Sequence, residues 1–219
     1  MSSENNKKWF VIEGNIGTGK STFLNKLNQQ IECEVIFEPL DEWINTKDNN
    51  GKNILDHFYN DSKRWCFTFQ VNALITRAQS ICKKQNKSLR FVERSIFTDK
   101  NVFALNSLES KFMNTMEMSL YNKYFDWIQT YNDSEPDGII YLRTQPEISF
   151  ERIKKRSRSE EDVIPLEYIK NIHEKHDKWL SENSNLKKKI LVLDASQNFE
   201  NDENILIKMI QEIKEFFKL

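Results

Sequence analysis

No charge sign dominates this chain of 219 residues. It has 32 Lys and Arg against 33 Asp and Glu, a formal net charge of −1. Its isoelectric point is near 6.4. No global field therefore draws it to nucleic acid, and any anion site must be local. Cysteine is scarce: Cys33, Cys66 and Cys82 form no C-x-x-C pair and cannot all be bridged. They read as reduced thiols of a cytoplasmic protein. The stretch from Met1 to Lys8 has no apolar run and no arginine, so neither a secretory signal nor a mitochondrial presequence is expected there. No run approaches a membrane span, and repeats, low-complexity tracts and domain linkers are absent. The length suits one α/β domain over residues 1–219. Arginine is scarce too, with 8 among the 32 basic residues, yet Arg152, Arg156 and Arg158 fall within seven positions. Lysine supplies the surface charge, so clustered planar guanidinium forks point to phosphate.

What is present centres on one stretch. Gly14-Asn15-Ile16-Gly17-Thr18-Gly19-Lys20-Ser21-Thr22 fits G-x-x-x-x-G-K-[ST], a loop that cradles phosphates. Trp9–Glu13 before it is β-prone and apolar, and Phe23–Leu27 after it has helical spacing. The glycines let backbone N–H groups turn inward at the positive end of a helix. Lys20 would reach the outer phosphates and the Ser21 hydroxyl would ligate Mg²⁺.

Strands are expected at about 8–13, 33–37, 89–92, 138–142 and 189–194. Helices are expected from the P-loop to about 30, over 54–59, and from a Ser62 cap to about 84. Further helices are expected at 96–106 and 114–131, from Pro146, from Pro165 to about 180, and at 205–217. Residues 41–53 read as a polar loop around Trp43, and 154–162 as an exposed, charged, mobile segment. Met116, Leu120, Tyr124, Trp127 and Ile128 make the 114–131 helix apolar over a wide face. That fits a deep core position or a contact between copies. His173 and His176 share a helical face but lack an evident third metal ligand.

Strands alternating with helices imply a parallel sheet covered on both faces, with ligand beyond the carboxyl strand ends. Three such ends carry chemistry: the P-loop, Glu38 ahead of Pro39, and Glu93-Arg94. A carboxylate there can accept the proton of a weak hydroxyl nucleophile. The sequence does not separate Glu38 from Glu93 in that role.

The chain resembles the deoxynucleoside kinases, the group of deoxycytidine, deoxyguanosine and mitochondrial-type thymidine kinases. The matching blocks are Ile12–Ile16 into the P-loop, Glu38-Pro39 with Trp43, Phe67–Gln70, Glu93-Arg94-Ser95, and Asp137 to Trp179. The resemblance implies a P-loop kinase fold with a five-stranded parallel sheet and an arginine lid at about 152–162. It implies transfer of the γ-phosphate of ATP, with Mg²⁺, to the 5′-hydroxyl of a deoxynucleoside. It puts Glu38 at the 5′-hydroxyl, Glu93 near the metal and the same hydroxyl, and Arg94 between the 5′ end and the transferred phosphate, with Glu38 favoured as base and Glu93 as the magnesium-side carboxylate. It puts Arg152, Arg156 and Arg158 on the phosphates, and Phe199 on the nucleotide base. Tyr59 and Glu161 match residues that bond the 3′-hydroxyl, and Trp43, Phe69, Phe103 and Gln70 match the base pocket. Ala73, Arg77 and Asp99 match the selectivity positions, where an Arg77–Asp99 ion pair would fill the space a thymine methyl needs. Deoxycytidine or a purine deoxynucleoside is thus expected over thymidine. Around 141–161 the chain is closer to insect-type and thymidine-type relatives, which keeps a broad-specificity or thymidine-preferring kinase open. A homodimer is implied, with no nucleic-acid or membrane partner. A nucleoside monophosphate kinase and a non-catalytic accessory subunit of the same fold are the competing readings; the first fits poorly with Glu38, the second with an intact P-loop.

Overall fold

The computed structural model describes residues 7–131, 135–182 and 189–219. Five strands, β1 (Lys8–Glu13), β2 (Glu34–Ile36), β3 (Leu89–Glu93), β4 (Gly138–Arg143) and β5 (Lys189–Asp194), form one parallel sheet ordered β2-β3-β1-β4-β5. The helices in chain order are α1 (Lys20–Gln30), α2 (Leu40–Asn45), α3 (Ile54–Asn60), α4 (Ser62–Ile81), α5 (Ile96–Thr98), α6 (Leu105–Glu109), α7 (Thr115–Tyr131), α8 (Pro146–Arg156), α9 (Leu166–Asp177) and α10 (Glu203–Phe217).

The strands read as unbroken apolar runs because both faces are covered. Phe10, Ile12, Ile140 and Leu142 face one core, closed by Phe23, Leu24 and Leu27 of α1 and by Ile210, Ile213 and Phe217 of α10. Ile139 and Tyr141 face the opposite side, against Ile172 of α9 and Trp179. Each such buried side chain contributes about 1.5–3 kcal/mol, which fixes the register of β1 between β3 and β4. From β1 the chain runs outward to β2, returns to β3, then crosses to β4 and β5. The direction reverses between β1 and β3, and the crevice above their carboxyl ends is where such sheets bind ligands.

Several local expectations change. Residues 40–45 form α2 rather than part of a loop, because Trp43 is buried against Phe69 at 5.2 Å and donates its Nε1–H to Thr76 Oγ1 at 3.0 Å. The cap of α4 is Asp61, whose carboxylate accepts from Arg64 N, and Ser62 instead donates to the Phe58 carbonyl at 2.7 Å. Between α5 and α6 the chain widens into a π-helical turn, Asp99–Ala104. Such turns re-aim side chains and concentrate at functional sites. On α7, Tyr121, Phe125 and Ile128 are buried, while Met116 and Trp127 are 68 % and 63 % exposed and Leu120 and Tyr124 also face outward. A deep core position is thereby excluded for that outer stripe. The 154–162 segment is not a free charged run: α8 extends to Arg156, a short turn spans Ser159–Glu161, and Glu161 is buried. Among the described residues no helix is long and apolar enough to cross a membrane.

Candidate active site

The P-loop has the shape its glycines permit. Gly17 and Gly19 adopt φ of 79° and 91°, in the left-handed region. A Cβ on Gly17 would run into the Ser149 carbonyl of α8, and one on Gly19 would lie 2.8 Å from Phe199 Cζ. At Gly14 a Cβ would lie 2.7 Å from the Leu142 carbonyl oxygen, and Asn15 and Thr18 brace the loop. Asn15 Nδ2 donates to Ile169 O of α9 at 2.8 Å, and Thr18 Oγ1 donates to Asn15 O at 3.1 Å. Lys20 Nζ donates to the same Asn15 carbonyl at 2.7 Å. Burial first, then the Arg94 guanidinium, pull the Lys20 amine down to about 7. Ser21 Oγ donates to the Glu93 carboxylate at 2.9 Å, which joins the P-loop to the end of β3.

Arg94 follows directly, with a left-handed φ of 62° and its N–H bonded to Ile12 O at 3.0 Å. Behind this turn stands Glu13, whose carboxylate accepts from Ser95 Oγ at 2.9 Å and from the Thr98 hydroxyl. Burial pushes the Glu13 carboxyl up to about 7. Glu38 Oε1 accepts from Arg77 Nη2 at 2.9 Å and lies 3.3 Å from Arg94 Nε. Burial would raise the Glu38 carboxyl, but Arg94, Arg77 and Lys20 outweigh it and hold it down at about 2. Arg77 Nε donates to Asp99 Oδ2 at 2.9 Å, so the ion pair expected from the sequence is formed, with Glu38 as an added third member.

These groups border a cavity of about 360 Å³ lined by Lys20, Ser21, Glu38, Trp43, Tyr59, Phe69, Gln70, Ala73, Arg77, Glu93, Arg94, Asp99, Phe103, Arg156, Arg158 and Glu161, with Ile16, Gly17, Gly19 and Thr22 at its rim. That volume fits a small molecule. A second cavity, about 460 Å³, is lined by Gly17, Gly19, Thr22, Arg152, Lys155, Arg156 and residues 197–200, Phe199 among them. The two meet at the P-loop and Arg156. In the first cavity four buried polar atoms, Gln70 Oε1, Arg77 Nη1, Arg94 Nε and Arg94 Nη1, have no hydrogen-bond partner among the described residues. Buried polar atoms left unpaired are costly, and four on the residues lining one cavity point to a polar ligand.

Some placements differ from expectation. Arg152 spends its guanidinium on carbonyls, with Nη1 at 2.8 Å from Ala195 O and Nη2 at 3.1 Å from Ser196 O. A longer contact of 3.4 Å reaches Thr18 O, so Arg152 ties the 195–197 loop to the P-loop. Arg156 and Arg158 pair with Glu161, the latter at 3.4 Å. Phe199 serves two surfaces: it meets Phe23 edge-on at 5.8 Å in the core and also walls the second cavity. His173 lies 3.3 Å from Asp177, and His176 Nδ1 lies 2.8 Å from the Ile172 carbonyl. Sequence reasoning missed Phe58, which stacks on Phe69 at 4.7 Å and lines the first cavity, and Tyr168, which also lines it. It gave Glu13 no role, although a lone acid inside an apolar strand was a visible anomaly.

Residues 10–218 match the deoxynucleoside kinase family. A probable deoxycytidine kinase of fowlpox virus is 37 % identical over 97 % of this chain and 89 % of its own length. Human deoxycytidine kinase is 38 % identical, covering 96 % of this chain and 93 % of its own. Human mitochondrial thymidine kinase 2 is 37 % identical over 89 % of this chain and 73 % of its own.

Proposed function

The chain belongs to the deoxynucleoside kinase family, and from that premise we propose that it moves the γ-phosphate of ATP to the 5′-hydroxyl of deoxycytidine or a purine deoxynucleoside, with Mg²⁺, in preference to thymidine. The observation that carries the reading is the first cavity, where a charged acid at a strand tip, two guanidiniums and the P-loop lysine converge around unpaired polar atoms.

A deoxynucleoside would lie between α3, α4 and the π-helical turn. Phe69, Trp43 and Phe103 would wall the base, while the unpaired Gln70 amide oxygen would accept a hydrogen bond from its edge. Arg77, held by Asp99 and Glu38, fills the space beside it. Tyr59 and Glu161 would meet the 3′-hydroxyl. Glu38, ionised at neutral pH, would orient the 5′-hydroxyl and take its proton. The transition state of phosphoryl transfer is loose and asks little of the nucleophile until late. A base of low pKa is therefore sufficient. Lys20 and the P-loop N–H groups would hold the donor phosphates, with Arg94, Arg156 and Arg158 on the oxygens where charge spreads. Ser21 and Glu93 are adjacent hard oxygen donors, a set that suits Mg²⁺ completed by phosphate oxygens. Bound there, the ion would neutralise charge on the donor's outer phosphates.

The direct test is phosphorylation of the four deoxynucleosides by the purified protein with ATP. Deoxycytidine or a purine deoxynucleoside is expected to exceed thymidine in kcat/KM by about tenfold or more. Thymidine leading would overturn the preference, and no turnover with any of the four would overturn the activity.

The family tendency to dimerise is supported by the stripe on α7, where Met116, Leu120, Tyr124 and Trp127 are exposed together. Sedimentation at low concentration is expected to give a dimer, and Trp127→Glu a monomer; a wild-type monomer counts against this part. The unbridged cysteines, with Cys33 and Cys66 buried, support a cytoplasmic setting.

A further inference from the structure

The turn that carries Glu161 is joined to the opposite wall of the cleft through one amide. Asn53 is 4 % exposed and opens α3. Its Oδ1 accepts from Asp56 N at 2.8 Å, and the Asp56 carboxylate accepts from Asn53 N at 3.1 Å. This reciprocal cap fixes the side chain. A backbone bridge between Lys47 and Asn53 holds the preceding loop. The Nδ2 group remains, and it donates to Glu160 Oε1 at 2.9 Å, across 107 residues of chain. Next to Glu160, Glu161 grips Arg156 and Arg158. Tyr59 of α3 and Glu161 both line the first cavity, and Asn53 lines neither cavity.

We propose that Asn53 is a positioning residue whose amide latches the Ser159–Glu161 turn to α3, and so ties the nucleoside side of the cleft to the placement of Arg156 and Arg158. The inference rests on the function proposed above. The acceptor is a carboxylate, so the bond belongs to the stronger, charge-assisted class. One side of the side chain caps the helix that bears Tyr59. The other side holds the turn that bears Glu161. A nucleoside that orders α3 therefore also steadies the turn whose Glu161 holds the two arginines.

Cap and latch are separable by substitution. Asn53→Asp keeps an equally good helix cap but sets a second carboxylate against Glu160. It is expected to lower kcat/KM for the deoxynucleoside by about tenfold or more, the size of a charge-assisted bond. The lost bond should also lower the thermal midpoint, by about 2–4 °C for each kcal/mol, so turnover is read well below the midpoint of each variant. Combining Asn53→Asp with Glu160→Gln returns an amide and a carboxylate to the same contact with their places exchanged. That pair is expected to recover most of the loss. Glu160→Ala leaves the cap untouched and should reproduce the loss, which keeps the test open if Asn53→Asp does not fold.

Amide hydrogen exchange on the unliganded protein gives a readout independent of turnover. Backbone amides at 161–164 should exchange about tenfold faster in Asn53→Asp or Glu160→Ala. Wild-type exchange and kinetics in these variants, or a double variant no better than the single one, would overturn the latch. Absence of any deoxynucleoside phosphorylation by wild type would overturn the proposed function instead, and the exchange arm would still decide the latch.

Discussion

Glu38→Gln is expected to lower kcat by about 10²–10⁴-fold, with a much smaller change in KM for the deoxynucleoside. The amide keeps an oxygen to accept a hydrogen bond from the sugar, so binding survives. It cannot take the proton that must leave as the new P–O bond forms. Glu93→Gln should behave differently, because Glu93 shares its hydrogen bond with Ser21 of the P-loop. Its defect should be eased by raising Mg²⁺, and that of Glu38→Gln should not. The change also weakens the buried network, since Glu38 holds Arg77 at 2.9 Å and stands 3.3 Å from Arg94. A hydrogen bond to a charged group is worth about 1.5–3 kcal/mol, so an unfolding midpoint must accompany the kinetics. The pH dependence separates the two effects. The Glu38 carboxyl lies at about 2 in the fold against an ordinary 4.5. The stability its charge contributes is therefore complete above about pH 4.5 and drains as pH falls toward 2. The stability gap between wild type and Glu38→Gln should narrow over that window. Near-normal turnover in a folded Glu38→Gln protein would reject the role given to this residue.

Much of this arrangement was legible because it rests on local rules. The P-loop is set by the spacing of Gly14, Gly19 and Lys20 between a strand and a helix. The parallel sheet follows from short apolar strands alternating with helices, and the strand-end rule gathers Glu38, Glu93 and Arg94 from distant parts of the chain. What stayed hidden depends on partners far away in sequence. Residues 40–45 are polar on one side and too short for a helical period to show, and only packing of Trp43 on Phe69 makes them α2. The arginine cluster looks uniform in sequence, yet Arg152 faces the carbonyls of residues 195 and 196 while Arg156 and Arg158 face Glu161. Backbone carbonyls leave no trace in a sequence, so that division could not be read. On α7 both the buried and the exposed stripes are apolar, and hydropathy alone does not rank them. The pairing of Asn53 with Glu160 joins two polar residues in segments that each read as loop.

Lys20→Met is expected to lower kcat by at least about 10²–10³-fold while making the unliganded protein more stable. The amine is buried beside Arg94, and its pKa falls from 10.5 to about 7. In the unfolded chain it would keep its proton up to about 10.5. Between about pH 7 and 10.5 the unfolded state therefore binds more protons, and stability gains from this group as pH rises through that window. At pH 7 its burial opposes folding by a term on the order of 4 kcal/mol. Methionine fills the same space with a flexible uncharged stem, at the loss of the bond to Asn15 O at 2.7 Å. Each net kcal/mol recovered should raise the midpoint by about 2–4 °C in a protein of this size. Bound phosphate reverses the balance, because an anion beside the amine favours its charged form. Donor binding should then take up a proton above pH 7, and donor affinity should weaken as pH rises from 7 toward 9. Calorimetry in buffers of different ionisation enthalpy reads that uptake directly, and Lys20→Met should show none. A lower midpoint in Lys20→Met, or proton uptake unchanged from wild type, would mean that the amine is not the group that answers the phosphates.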